Sequence, residues 1–192
     1  MEERPEIGVA LAELAAAFSG LVKVVTDDGH VQLTSRRIED VAARVMPGCR
    51  HVGVVVVEDG KARTLASTDA VAAQVDAIQF HCGEGPALDV LVTDGFVHVD
   101  DLANDARWPE FAKKALEVGD VRSMISYLLH LGRRRQAVLS FYSTWPYAFD
   151  DIAVAIGAMF GAYCSLDLVT QQLGDKVRPR RAAAAQQESA AR

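Results

Sequence analysis

His81 and Cys82 set an imidazole beside a thiol, and Gly83-Glu84-Gly85-Pro86 follows at once. Imidazole and thiolate both ligate metals and haem, and a thiolate is also a nucleophile. Adjacent residues rarely converge on one ion, however, and no second His/Cys cluster at metal-ligand spacing occurs. Neither metal nor haem is expected, and the residues name no cofactor. His30, His51, His98 and His130 are scattered and read as ordinary surface or strand residues. The helix that opens at Gly85 offers unpaired N–H groups and the positive end of a dipole, the chemistry of an anion site. Glu84 stands where its carboxylate can neutralise that end in cis. Asp100-Asp101 has the composition of an acid/base pair, but neighbours on a strand point to opposite faces, so a solvated turn is expected instead. No G-x-S-x-G elbow, Walker loop or zinc-helix motif occurs, which leaves hydrolase and nucleotide-cleaving chemistry without support.

The elements that would position these side chains can be read from spacing. Gly83 and Gly85 permit backbone conformations closed to other residues, and Pro86 suits a first helical position, so the turn aims the start of a helix. Ile7, Leu11, Leu14, Phe18 and Leu21 lie on one stripe of a first helix, and Thr34 or Ser35 can cap a second, which Pro47 and Gly48 stop. The period then changes. Strands from His51 and Lys61 flank the Asp59-Gly60 hairpin turn. Thr68 or Asp69 caps a helix to about Ile78, Phe96 to Val99 is a strand, and Asp105 is placed to cap the helix that carries Trp108 and Phe111, ended by Gly119. Val121–Leu131 and Gln136–Ser143 are further strands. The last helix runs from Asp150 to about Leu173. Its apolar stretch, Ile152–Leu166, is bounded by Asp150, Asp151 and Asp167 and falls short of the ~20 residues that cross a bilayer. The expected units are a first helix and linker over 1–30, a core domain over 31–173, and a disordered tail over 174–192. The class is α+β: one antiparallel sheet with helices from the two termini layered on it and irregular segments between the middle strands.

Composition fits this reading. The chain has 192 residues, half of them hydrophobic and 24% charged, enough for one domain with a full core and helical extensions. A formal charge of −6 argues against nonspecific binding to nucleic acid or anionic membrane. Three cysteines without framework spacing read as cytosolic thiols. The charged start MEERPEIG lacks the apolar core of an export signal, so a cytoplasmic location is expected.

Taken in order, QFHCGEGPALD (Gln79–Asp89), VDDLANDARWPEF (Val99–Phe111), VRSMIS (Val121–Ser126) and FYSTWPYAFDD (Phe141–Asp151) closely resemble GAF domains. The type is the one usually found ahead of an ANTAR RNA-binding domain in bacterial signalling proteins. The resemblance spans roughly Val45 to Leu173 and implies the same α+β architecture, with a layer of terminal helices on one face of the sheet and, on the other, short helices and loops roofing a small-molecule pocket, the glycine turn in the roof. Two positions depart from the pattern: Ala87 stands where cysteine is common after Gly-Pro, and Leu128 replaces a usual proline. No ANTAR-like module follows, so RNA antitermination in cis is not expected, and the cluster Lys176, Arg178, Arg180 and Arg181 is too short to signal nucleic acid.

The candidate ligand-binding residues are Phe80, His81, Cys82, Glu84, Trp108 and Phe111 in the roof, with Tyr127 and Phe141 in the floor. Ser126 or Ser140 replaces its neighbour if the strand faces are offset by one residue. The last helix is apolar all round: Ile152, Ile156, Met159, Tyr163 and Leu166 form one stripe, and Ala153, Gly157, Gly161 and Ser165 a small-residue stripe opposite. A homodimer is expected through a four-helix bundle, with Leu11, Leu14, Phe18, Gly157 and Gly161 at its interface. The alternative is that the two terminal helices satisfy each other within a monomer. The function expected is a sensory or regulatory module, not an enzyme, that binds a small molecule or protein partner and signals through its terminal helices. Two other readings stand beside it. Some GAF-fold proteins reduce free methionine sulfoxide with cysteines near the pocket, and Cys82 is suitably placed, although Cys49 and Cys164 do not obviously supply a resolving thiol. The remaining alternative is a ligand-free scaffold for dimerisation or docking.

Overall fold

The computed structural model describes residue 46 and residues 48–169, apart from 94, 132–134 and 167. The expected first helix with Leu11, Leu14 and Phe18, the second helix and the tail lie outside the described residues.

Strand β1 (His51–Glu58) turns through Asp59-Gly60 into β2 (Lys61–Ser67). Both turn residues have positive φ, 50° and 74°, as the two-residue hairpin requires. Asp69 caps helix α1 (Ala70–Cys82), its carboxylate accepting from Ala72 N at 2.9 Å. The helix runs one turn further than its sequence suggests, so Phe80, His81 and Cys82 are helical. Gly83, left-handed at φ 71°, then ends it. Helix α2 (Pro86–Thr93) leads into β3 (Phe96–Val99), a single 3-10 turn (Leu102–Asn104) and helix α3 (Pro109–Gly119). Strands β4 (Ser123–His130) and β5 (Arg135–Ser143) follow, then helix α4 over 151–166.

The sheet is antiparallel throughout, in the order β2-β1-β5-β4-β3. It is covered on both faces, so β4 is buried almost end to end and its sequence shows no alternation. One face is apolar apart from the Tyr127 hydroxyl and, at the strand ends, Ser123 and Ser143. Val52, Val54, Val56, Ile125, Tyr127, Leu129, Leu139 and Phe141 pack there against Ala153, Ile156, Phe160 and Cys164 of α4. Burial of each large side chain contributes about 1.5–3 kcal/mol. The opposite face carries Val97, Val99, Met124, Leu128, Val138 and Tyr142 under a roof of α1, α2 and α3.

The small-residue stripe of α4 faces the sheet, which corrects the assignment of Gly157 and Gly161 to a dimer interface. A Cβ at Gly157 would lie 2.6 Å from the Tyr127 hydroxyl oxygen, and one at Gly161 3.5 Å from Leu129. Missing side chains let α4 settle onto β4, where Tyr127 donates its hydroxyl hydrogen to Val154 O at 2.6 Å. The stripe left outward is Ala158, Ala162 and Leu166.

Candidate functional site

At the centre of the roofed face three small residues stand in a row on adjacent strands: Gly53 opposite Ser140, and Ser140 opposite Ser126. The serine hydroxyls bond each other at 2.8 Å and are buried. Helix α1 lies above. Its sheet-facing stripe is Ala72, Val75, Asp76 and Gln79, so helical spacing carries two polar side chains into the interior.

Asp76 is only 1% exposed. The Tyr142 hydroxyl donates to its Oδ1, and Gln79 Nε2 donates to the Tyr142 oxygen at 3.4 Å. Asp76 Oδ2 is buried with no hydrogen-bond partner and rests on Gly53, where an added Cβ would overlap it. Burial pushes the carboxyl up to about 7, and the Tyr142 hydrogen bond offsets only part of that rise. The Tyr142 hydroxyl is raised well above its ordinary value by burial first and by Asp76 second.

The glycine turn connects to this cluster through Gln79, whose Oε1 accepts from Ala87 N at 2.7 Å. Gly85, at φ 140°, has no room for a side chain: a Cβ there would come 2.7 Å from Gln79. The N–H groups of Leu88 and Asp89 bond Gly85 O. Donors that the sequence offered to an anion are thus engaged within the chain.

Glu84 does not neutralise the start of α2. Its Oε1 accepts from Glu110 N at 2.7 Å and Phe111 N at 2.9 Å, capping α3 from 26 residues away. Asp105, expected in that role, instead grips Arg107 at 2.6 Å. Arg107 in turn lies 4.1 Å over the Trp108 ring, and Trp108 Nε1 donates to Asp89 at 3.2 Å. Nor is Asp101 solvated. It is buried and accepts from Arg122 at 2.9 Å on each carboxylate oxygen, and that guanidinium holds its carboxyl below the usual range.

The residues expected to line a pocket are therefore dispersed. Trp108 and Phe111 are buried in the roof core, Phe80 is half-buried, and His81 is exposed. Cys82 is half-buried with Lys114 Nζ 3.3 Å from its sulfur. Tyr127 and Phe141 lie on the sheet's other face, under α4, because the strand faces are offset by one residue; Ser126 and Ser140 take the roofed side. Sequence reasoning passed over Asp76, Gln79, Tyr142 and Gly53. The available signal was a carboxylate and an amide on the apolar stripe of α1. Among the described residues no group of three or more His, Cys, Asp or Glu could hold a metal ion, and no helix is long and apolar enough to cross a membrane.

A family model described as GAF domain matches residues 31–166. No curated protein sequence matches the chain. Among solved structures, the nlh2 GAF domain of A. Aeolicus in an inactive state is similar at 11% identity and TM-score 0.57, covering 84% of this chain and 99% of that one. The GAF domain of an Acinetobacter phosphoenolpyruvate-protein phosphotransferase is similar at 12% identity and TM-score 0.55, over 87% and 98%. Free methionine-R-sulfoxide reductase from Neisseria meningitidis, solved with its substrate, is similar at 14% identity and TM-score 0.56, over 83% and 93%. At these identities the likeness is one of fold.

Proposed function

The chain belongs to the GAF domain family, and from that membership we propose that it is a sensory module that takes a small molecule between α1 and the sheet and reports through α4. One observation carries the reading: Asp76, Gln79, Tyr142, Ser126 and Ser140 are buried together on the roofed face with one carboxylate oxygen left unpartnered, whereas the polar groups of the α4 face, Tyr127, Ser123 and Ser143, each have a hydrogen-bond partner. A core selected for stability alone does not collect polar groups and leave one carboxylate oxygen unpartnered. Such a cluster is suited to orient a small polar ligand. In this reading α4 is the output, pairing with a second copy through its outer stripe, and the module works in the cytoplasm with Cys49, Cys82 and Cys164 as thiols. Native mass spectrometry of the chain purified from its own cells is the test. A small-molecule adduct lost on Ser126→Leu, in a variant that keeps its fold, is expected. An adduct that survives that change, or a chain that carries none under any growth condition, overturns the reading.

The Lys114–Cys82 contact favours a second reading, a thiol-dependent reductase of a small sulfoxide, because it sets a polar donor against a half-buried thiol beside the glycine turn. Against it, burial pushes the Cys49 thiol up to about 12, which disfavours it as a resolving partner. Thiol-driven reduction of free methionine sulfoxide separates the two: no turnover is expected, and turnover abolished by Cys82→Ser would establish the enzyme.

A further inference from the structure

We propose that the contact of Asp76 on α1 with Gly53 on β1 is a proton-operated latch, which holds the roof helix on the sheet while the carboxyl is protonated and releases it on ionisation. The latch needs no bound ligand and goes beyond the sensory reading. Its geometry lies in two places. Oδ2 is pressed onto a strand position that has no side chain, and no donor reaches it. A neutral carboxyl is tolerable there, whereas an anion would have the Tyr142 hydroxyl as its single donor. On the far side, Tyr142 accepts from Gln79, and Gln79 accepts from Ala87 N at the start of α2. Movement of α1 off Gly53 therefore pulls on the glycine turn as well.

No other charge intervenes among the described residues. Tyr142, from β5, is the titratable group that touches Asp76. At the start of α1, Asp69 is engaged by His51 of β1 at 2.6 Å. At its end, Cys82 meets Lys114 of α3. Asp89 of α2 is held by Trp108, Glu84 caps α3, and Lys61 and Arg63 of β2 are exposed on the edge strand. The proton released on opening passes to water.

Amide hydrogen exchange on the full chain, expressed as protection factors, reads the latch directly. Opening of α1 exposes the carboxyl, so the opening equilibrium of the Val75–Gln79 amides should rise about tenfold per pH unit from about pH 5 to about pH 7 and then level off. Amides of α4 should not share that slope. In Asp76→Asn the slope should vanish. Gly53→Ala, which forces the carboxylate off the strand, should leave α1 weakly protected at every pH. A flat wild-type profile, or an Asp76→Asn profile with the wild-type slope, overturns the proposal. Should the variants not fold, the wild type alone decides by carbon NMR of the Asp76 carboxyl: titration near neutrality supports the latch, and titration below about pH 5 overturns it.

Discussion

Glu84 reaches the first turn of a helix that begins 25 residues beyond it, placing its carboxylate 2.9 Å from the N–H of Phe111 and 2.7 Å from that of Glu110. Helix α3 has Trp108 at its N-cap and so lacks a capping oxygen of its own. The glycine turn supplies one, which ties the roof's two halves together. Glu84→Ala should cost about 0.5–2 kcal/mol, the range for loss of a helix cap. Glu84→Gln keeps an acceptor oxygen and should recover much of that. Urea unfolding of both variants checks this; equal stability of Glu84→Ala and wild type would show that water replaces the cap at no cost.

Gly53 and Asp76 should be coupled. A methyl group at Gly53 overlaps the Asp76 carboxylate, and overpacking of this kind costs about 1–3 kcal/mol. With Asp76→Ala in place the methyl group has space, so Gly53→Ala should then cost little. A double-mutant cycle measures the difference. Additive losses would mean that the two side chains do not compete for the same volume.

Stability should fall with rising pH because of Asp76. Its carboxyl, at 3.8 when unperturbed, lies at about 7 in the folded chain. Its contribution is therefore complete below about pH 4, declines as pH rises towards 7, and is constant above. At about 1.36 kcal/mol per pH unit the span is about 4 kcal/mol. Urea midpoints taken between pH 4.5 and pH 7.5 should show the decline in the wild type and a smaller one in Asp76→Asn. A wild type that gains stability as strongly as the variant across that window would contradict the buried carboxyl.

Asp101 works in the opposite sense. Arg122 holds its carboxyl below the usual carboxylate range, so its contribution is present above about pH 4 and is lost as pH falls. Asp101→Asn should therefore be less stable than wild type at pH 7. The gap between the two unfolding curves should narrow in acid. A gap of equal size at pH 3 and pH 7 would assign the loss to hydrogen bonding by Asn104 and Ala103 rather than to charge.

Local signals made much of the fold legible. Asp59-Gly60 fixes a hairpin by its own backbone needs, and α1 starts at Asp69, one of the two caps its sequence offers, although it ends at Gly83, a turn beyond the expected Ile78. The site was harder because it depends on parity. Strand β4 reads SMISYLLH and is buried on both faces, so nothing local separates Ser126 from Tyr127, and a one-residue offset moves every side chain to the other face. Phe141 and Ser140 exchange places for the same reason. The caps of α3 failed differently: Asp105 is near in sequence, but Glu84 is near in space. Asp76 lies on the buried stripe of α1 with Ala72, Val75 and Gln79, and a carboxylate there is the clearest departure from a plain core.

Helix α4 separates packing from assembly. Leucine at Gly157 must collide with the Tyr127 ring, so Gly157→Leu should destabilise the fold by about 1–3 kcal/mol whatever the oligomeric state. Leu166 lies on the outer stripe and is 67% exposed. Ala158 and Ala162 continue that stripe, so it has little polar character to keep it in water. Leu166→Asp with Ala162→Glu should change stability by no more than about 0.5 kcal/mol in a monomer. If a second copy covers the stripe, the same pair of changes should turn a dimer into a monomer. Sedimentation at micromolar concentration, run beside thermal unfolding, distinguishes the cases. A wild type that sediments as a monomer, or a dimer indifferent to both charges, would remove α4 as the pairing surface and leave its role confined to covering the apolar face of the sheet.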